Sequence, residues 1–211
     1  MLDKCVYSFE RLEKAKYNFV VAKKMNLTEI TLNFTKDEFH HIMGFHYLKD
    51  LRNSLNSKRL FNDIKANKIT LDHLKRSQFF KQVESRILAV PDIIKHLEND
   101  NVILKYIEKR NPYSKINADY LIESTIDDKT CCIFLRKRND KDENTYCVCS
   151  FFVKGDTEYI GEKLSWLLKE KVFIESEKKK ELFRHSNYQD VFEEVAVTKN
   201  NTNRTKGELK K

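Results

Sequence analysis

The sequence predicts an α+β fold in which N-terminal helices pack on a C-terminal antiparallel sheet of about four strands. Two patterns predict it. Up to about residue 100 apolar residues recur mostly at helical spacing, whereas beyond residue 101 they gather into short β-branched and aromatic runs closed by polar turn residues. A chain of 211 residues, 40% hydrophobic and 11% aromatic, holds material for one sizeable core.

Residues 3–24 place Val6, Phe9, Leu12, Tyr17, Val20 and Val21 near helical spacing and are expected to form one long amphipathic helix. Residues 27–34 alternate, with Ile30, Leu32 and Phe34 on one face, as a half-buried strand does. Thr35-Lys36-Asp37-Glu38 is a capping box, so a helix starts near Lys36, with an expected reach to about residue 53. Further helical segments follow over 58–67 and 70–90, and Pro91 marks a break or a new start. Residues 102–109, 118–126, 130–138 and 145–153 read as strands of a meander, with hairpin turns at 127–129 and 139–144. Residues 159–176 fit either a helix around Trp166 or a last strand, and 175–184 is a charge run suited to a solvated helix. The expected division is an N-terminal helix over 1–26, a main domain over 27–175, a charged extension over 176–197 and a disordered basic tail over 198–211.

No apolar run approaches the roughly 18 residues that a membrane span needs, and no secretory leader is visible, so the expected location is the cytoplasm. The five cysteines lack Cys-x-x-Cys spacing and read as buried thiols in a reducing compartment. Net charge is +8, of which residues 199–211 carry a net of +4. The remainder suits a polyanionic partner. Residues 49–76 concentrate Lys49, Arg52, Lys58, Arg59, Lys65, Lys68, Lys75 and Arg76 against three acidic residues, a surface that can follow a phosphate backbone or stand as a solvated face.

Chemistry concentrates on the capped helix, where His40, His41 and His46 fall within seven residues. On one continuous helix these three cannot point the same way, and His-x-x-x-His spacing is absent, so neither a metal centre nor any other cofactor is expected. Metal-free RNA cleavage needs a base for the 2′-hydroxyl proton, an acid for the leaving oxygen, and cations or hydrogen bonds for charge on the phosphoryl group. Histidine suits the first two roles and Lys or Arg the third. Lys49, Arg136, Tyr146 and Ser150 complete the catalytic candidates, with alternation grouping Tyr146 and Ser150 on one strand face. Lys137 and Arg138 join the candidates for nucleic-acid binding.

Phe39-His40-His41-Ile42-Met43-Gly44-Phe45 resembles the Phe-x-His-Leu-x-Gly-Leu helix of phage-borne nuclease-like domains of the barnase, EndoU, colicin and RelE superfamily, in its fourth phage group. The resemblance continues through Arg59 to Ile64, Lys68-Ile69-Thr70, Ala118 to Ile122 and Ser150-Phe151-Phe152, covering residues 27–175. It implies helices on a four-stranded antiparallel sheet and RNase-like activity without a metal, with His41 at the position of the motif histidine. His40 and His46 depart from the motif. The functional expectation is a toxin-like endoribonuclease of phage or mobile-element origin acting on RNA, with a protein inhibitor or host protein as a further partner. The competing expectation is a non-catalytic module that binds nucleic acid or a host protein and interferes with a defence system.

Overall fold

A computed structural model describes residues 1–24, 26–51, 55–138 and 144–188. The expected tail at 198–211, most of the 139–144 turn and Arg52 lie outside the described residues.

The first helix is half as long as its periodicity suggests. α1 (Leu2–Glu13) buries Leu2, Cys5, Val6, Phe9 and Leu12, and the chain then enters β1 (Ala15–Lys23). Tyr17, Phe19 and Val21 follow a period of two, not 3.6, and face the main core, while Val20 and Ala22 face a second cluster with Leu167 and Leu168. β2 (Asn26–Leu32) returns antiparallel to β1.

A helical insertion separates β2 from the next strand: α2 (Lys36–Ile42), α3 (Leu60–Lys65), α4 (Leu71–Lys75), α5 (Lys81–Ala89) and α6 (Ile93–Glu98). The capping box is present at the start of α2, where the Thr35 amide donates to the Glu38 carboxylate at 3.3 Å. The expected run to residue 53 is not. Gly44 adopts φ +72°, its amide donates to the His41 carbonyl at 3.0 Å, and the chain continues as short 3-10 turns at Phe45–Tyr47 and Lys49–Leu51. A left-handed glycine just past a helix end is the usual way to terminate it. The expected helix over 70–90 is likewise broken, because Ser77 and Gln78 turn the chain against Asp50: the Ser77 hydroxyl donates to it at 2.5 Å and the Gln78 amide at 3.0 Å.

β3 (Val102–Tyr106), β4 (Tyr120–Ile126), β5 (Lys129–Lys137) and β6 (Thr145–Val153) form the antiparallel meander read from the sequence. Asp127 and Asp128, both at positive φ, make its tight β4–β5 turn. The meander is not a four-stranded sheet, however. β7 (Gly161–Phe173) pairs with β3 through Gly161 to Leu164 and with β1 from Ser165 onward, while β2 pairs parallel to β6 at Thr31–Thr145 and Leu32–Tyr146. These contacts cover both edges of the meander and close a seven-stranded mixed barrel in the order β1-β2-β6-β5-β4-β3-β7. β8 (Lys179–Arg184) adds an eighth strand on β7, where a solvated helix was expected. The expectation of helices on a four-stranded sheet is thus overturned by β1 and β7, in segments whose apolar residues looked helical or ambiguous, together with the expected strand β2 and with β8 in the charge run.

One sheet face packs with the helices into the main core around Phe9, Tyr17, Phe39, Ile133 and Phe151. The opposite face carries a smaller cluster of Tyr106, Leu121, Cys132 and Phe134. Polar contacts tie the insertion to the barrel. Arg138 pairs with Glu38 of α2 and donates to the Asn33 carbonyl at 3.1 Å. Glu98, at the end of α6, accepts from Lys171 at 2.7 Å and from the Tyr17 hydroxyl at 3.0 Å. Burial alone would raise the Glu98 carboxyl, but Lys171, Tyr17 and Lys180 outweigh it and hold it low. Lys169, also buried, donates to the Asn99 carbonyl at 2.8 Å, and burial brings its ammonium down to about 8.

Two outcomes follow for stability. Gly44→Ala forces a side chain into the left-handed region and drives its Cβ to 2.8 Å from the Arg86 guanidinium, so chemical denaturation should show a loss of at least about 1–2 kcal/mol. For Lys169 the lowered folded value means that the unfolded chain binds more protons between about 8 and the ordinary 10.5, so the wild type gains stability as pH rises through that window. Urea unfolding should show this gain relative to Lys169→Met; a difference between the two proteins that does not change with pH would contradict it.

Candidate active site

The turn at Gly44 decides where the histidines go. Because α2 stops at Ile42 and the chain folds back, His46 returns beside the helix end instead of running on along its axis. The imidazoles of His40, His41 and His46 form a triangle with ring centroids 5.6, 5.7 and 6.1 Å apart. The expectation that the three diverge is corrected by this turn. His41 and His46 each keep part of the side chain open to solvent while the rest is desolvated in the turn, and His40 is half-buried, with its Nδ1 buried and lacking a hydrogen-bond partner.

Beneath the turn lies Arg86 of α5, a buried residue that the sequence reading passed over. Its guanidinium sits against Gly44, 5.4 Å from the Tyr47 ring centre and 5.5 Å from that of Phe152, and donates to the His41 carbonyl at 3.4 Å. Its Nε has no partner, and among the described residues no carboxylate pairs with it. A signal for it existed. Arg86 lies on the buried α5 stripe of Val83, Ile87 and Val90, where a charged residue is out of place unless it has a task.

The barrel supplies the other wall. Register shifts between Phe134 and Leu135, which pair with Ser150 and Val148, so Cys149 is the extra residue of a bulge. Before the bulge Tyr146 and Val148 face the main core; after it Phe151 does, and Ser150 and Phe152 turn to the groove with Cys149. The simple alternation that grouped Tyr146 with Ser150 therefore fails at this point. Tyr146 is buried against Tyr120, and burial raises its hydroxyl far above the ordinary range.

The result is a groove of about 590 Å³ lined by His41, His46, Tyr47, Arg86, Arg136, Ser150 and Tyr159, together with Gln82, Lys115 and Asn117, and by no acidic residue among the described residues. A second groove of about 820 Å³ shares His46 and is lined by His40, Lys49 and Lys58. Of the residues singled out by sequence, His41, His46, Arg136 and Ser150 meet in the first groove, while His40 and Lys49 lie in the second. The other basic candidates are spread out. Arg59 caps α3, Lys75 and Arg76 end α4, Lys65 pairs with Glu10 at 2.5 Å, and Lys68 lies 3.9 Å from Asp63. Lys137 is exposed at the end of β5, and Arg138 is engaged with Glu38.

The electrostatics follow from a set of cations and imidazoles that, among the described residues, includes no carboxylate. Burial and the Arg136 charge lower His41; burial, Arg86 and the two other histidines bring His46 down to about 4; burial and His41 lower His40. All three favour the neutral imidazole. Arg86 itself is lowered by burial, against the support of Tyr47. Cys149 is pushed by burial up to about 12, which removes it as a thiolate nucleophile near neutral pH.

No helix among the described residues is long and apolar enough to cross a membrane. No curated protein and no solved structure gives a significant match to the chain. Residues 2–205 match the model of the family described as phage-Barnase-EndoU-ColicinE5/D-RelE like nuclease 4, a span that takes in α1 and β1 as well as the 27–175 region of the sequence resemblance. With every described strand and helix inside that match, the chain belongs to this family of phage-type nuclease-like proteins.

Proposed function

We propose that the protein is an endoribonuclease that cleaves RNA without a metal ion in its first groove. The observation that carries this reading is the meeting of two imidazoles, His41 and His46, with two guanidiniums, Arg86 and Arg136, in a cleft that no acidic residue lines among the described residues. A cleft of this composition attracts a phosphodiester and offers none of the carboxylates on which a Mg²⁺-dependent site relies. Arg86 and Arg136 hold the non-bridging oxygens, with the Ser150 and Tyr47 hydroxyls as neighbouring donors.

His41, as a neutral imidazole, takes the 2′-hydroxyl proton while the 2′-oxygen bonds to phosphorus. The bond from phosphorus to the 5′-oxygen breaks, and the leaving oxygen takes its proton from His46. Burial and the Arg86 charge keep His46 neutral in the free protein; the bound phosphate offsets that charge and supplies an anion beside the ring, so that a proton can reside there. The product is a cyclic phosphate. Lys49 and Lys58, across His46 in the second groove, lie where the strand continues.

Incubation of purified protein with total RNA in excess chelator, followed by analysis of fragment ends, tests the reading. Cyclic phosphate or 3′-phosphate ends are expected; intact RNA with a gel shift would instead support a module that only binds. His41→Gln should lower the cleavage rate by about 10²–10⁴-fold with cooperative unfolding retained. Arg86→Lys should cost about 10²–10³-fold, because a single ammonium does not reproduce the fork. For affinity, Lys49→Gln with Lys58→Gln should weaken binding of an uncleavable RNA and flatten its log–log salt slope by about 1–2 units. The same change at Lys65 and Lys68, which already face Glu10 and Asp63, should alter the slope less.

A further inference from the structure

The histidine triangle has the makings of a second site. One ring nitrogen from each of His40, His41 and His46 lies within 4.8 Å of the others. A tetrahedral zinc ion holds imidazole nitrogens at about 2.0–2.1 Å, which sets them about 3.3 Å from one another. Modest side-chain rotations close the difference: the His41 and His46 rings lie outside the hydrophobic core, and His46 turns against the Tyr47 ring, whose centre is 4.1 Å from its own. His40 is the anchored member. Its Nδ1 is buried without a partner, an unmet polar atom for which a bond to a metal would compensate. An all-imidazole donor set suits Zn²⁺, Cu²⁺ or Ni²⁺ and is wrong for Mg²⁺ or Ca²⁺, which take oxygen.

We propose that His40, His41 and His46 bind one divalent transition ion of the zinc class, and that the bound ion closes the nuclease site. The first half stands on the geometry of the triangle alone; the second rests on the RNA-cleavage reading above. An ion held by His41 occupies the lone pair that a base would use, and an ion held by His46 displaces the proton that an acid would give. Metal and catalysis thus compete for the same nitrogens. Three protein ligands leave a fourth position open. Arg86 and Arg136, whose charges act on His46 and His41, oppose a bare dication, so the fourth ligand should be an anion such as chloride or phosphate.

The test uses untagged full-length protein stripped by chelator and then titrated calorimetrically with Zn²⁺ alone. One ion per chain is expected, bound more weakly by over about tenfold in His40→Gln and, separately, in His46→Gln, while Mg²⁺ gives no binding heat. In the wild type, NMR should show the ring signals of His40, His41 and His46 shifting or broadening with Zn²⁺, and those of His73, His96 and His185 unmoved. Absence of binding, equal binding by wild type and both variants, or shifts confined to the other three histidines would overturn the site. For the closing role, one equivalent of Zn²⁺ should suppress wild-type RNA cleavage relative to its own chelated rate. The His40→Gln protein, compared with its own chelated rate, should be far less affected. Zinc bound with cleavage undiminished would overturn the closing role. Zinc bound by a protein that cuts no RNA in chelator would support the site and overturn the nuclease reading.

Discussion

The architecture depends on β1 being hydrogen-bonded along both edges. It pairs with β2 from Tyr17 to Lys23 and with β7 from Ala15 to Ala22. Without it the sheet would be open, with β2 at one end and β8, beyond β7, at the other. With it, β2 on β6 and β7 on β3 are joined, and the sheet closes into a ring with no free edge along the meander. The parallel contact between β2 and β6 spans only two residue pairs, with the Thr31 amide donating to the Asn144 carbonyl at 2.8 Å as reinforcement. That short seam adjoins α2, because Arg138, just past β5, pairs with Glu38 in the first turn of the helix. Barrel closure and placement of the histidine helix are therefore coupled through one ion pair.

Against that frame the site is an arrangement of charges left incomplete. Arg86 is buried where most proteins would supply a carboxylate, yet it has two aromatic faces, a backbone carbonyl and an unpartnered Nε. Burying a cation under such conditions is costly unless an anion completes the set. Arg136 lines the same groove. The histidines favour the neutral form because burial is reinforced by neighbouring charge, from Arg136 at His41 and from Arg86 at His46. The bulge at Cys149 turns Ser150 into this space and leaves Tyr146 in the core, so one irregular residue decides which strand side chains meet the groove.

Much of the local structure was legible. The capping box, the β2 alternation and the four meander strands could all be read because each depends on neighbours in sequence. What failed depends on long-range partners. Residues 15–23 hold apolar side chains on both faces because the strand is covered by two clusters, and such a run mimics a helix when its period is scanned loosely. β7 was ambiguous for a related reason: Lys169 and Lys171 look like a solvated face, but each finds an acceptor near the end of α6. Gly44 was visible as a glycine, yet only its left-handed geometry shows that His46 rejoins His40 and His41. Arg86 could have been flagged by its place on an apolar stripe; its role could not, since its neighbours come from Gly44, Tyr47 and Phe152.

The central claim is that a phosphodiester seats between Arg86, Arg136 and the two groove histidines. The most direct measurement is an NMR titration of the ¹⁵N-labelled protein with a 2′-deoxy dinucleotide, which binds as a substrate would but lacks the attacking hydroxyl. The account predicts saturable shifts of the Arg86 guanidinium signal and of the His41 and His46 ring nitrogens, with the imidazoles moving toward the protonated form as the phosphate arrives. Shifts confined to the lysines and arginines of α3 and α4, with Arg86 and the histidines unmoved, would contradict it.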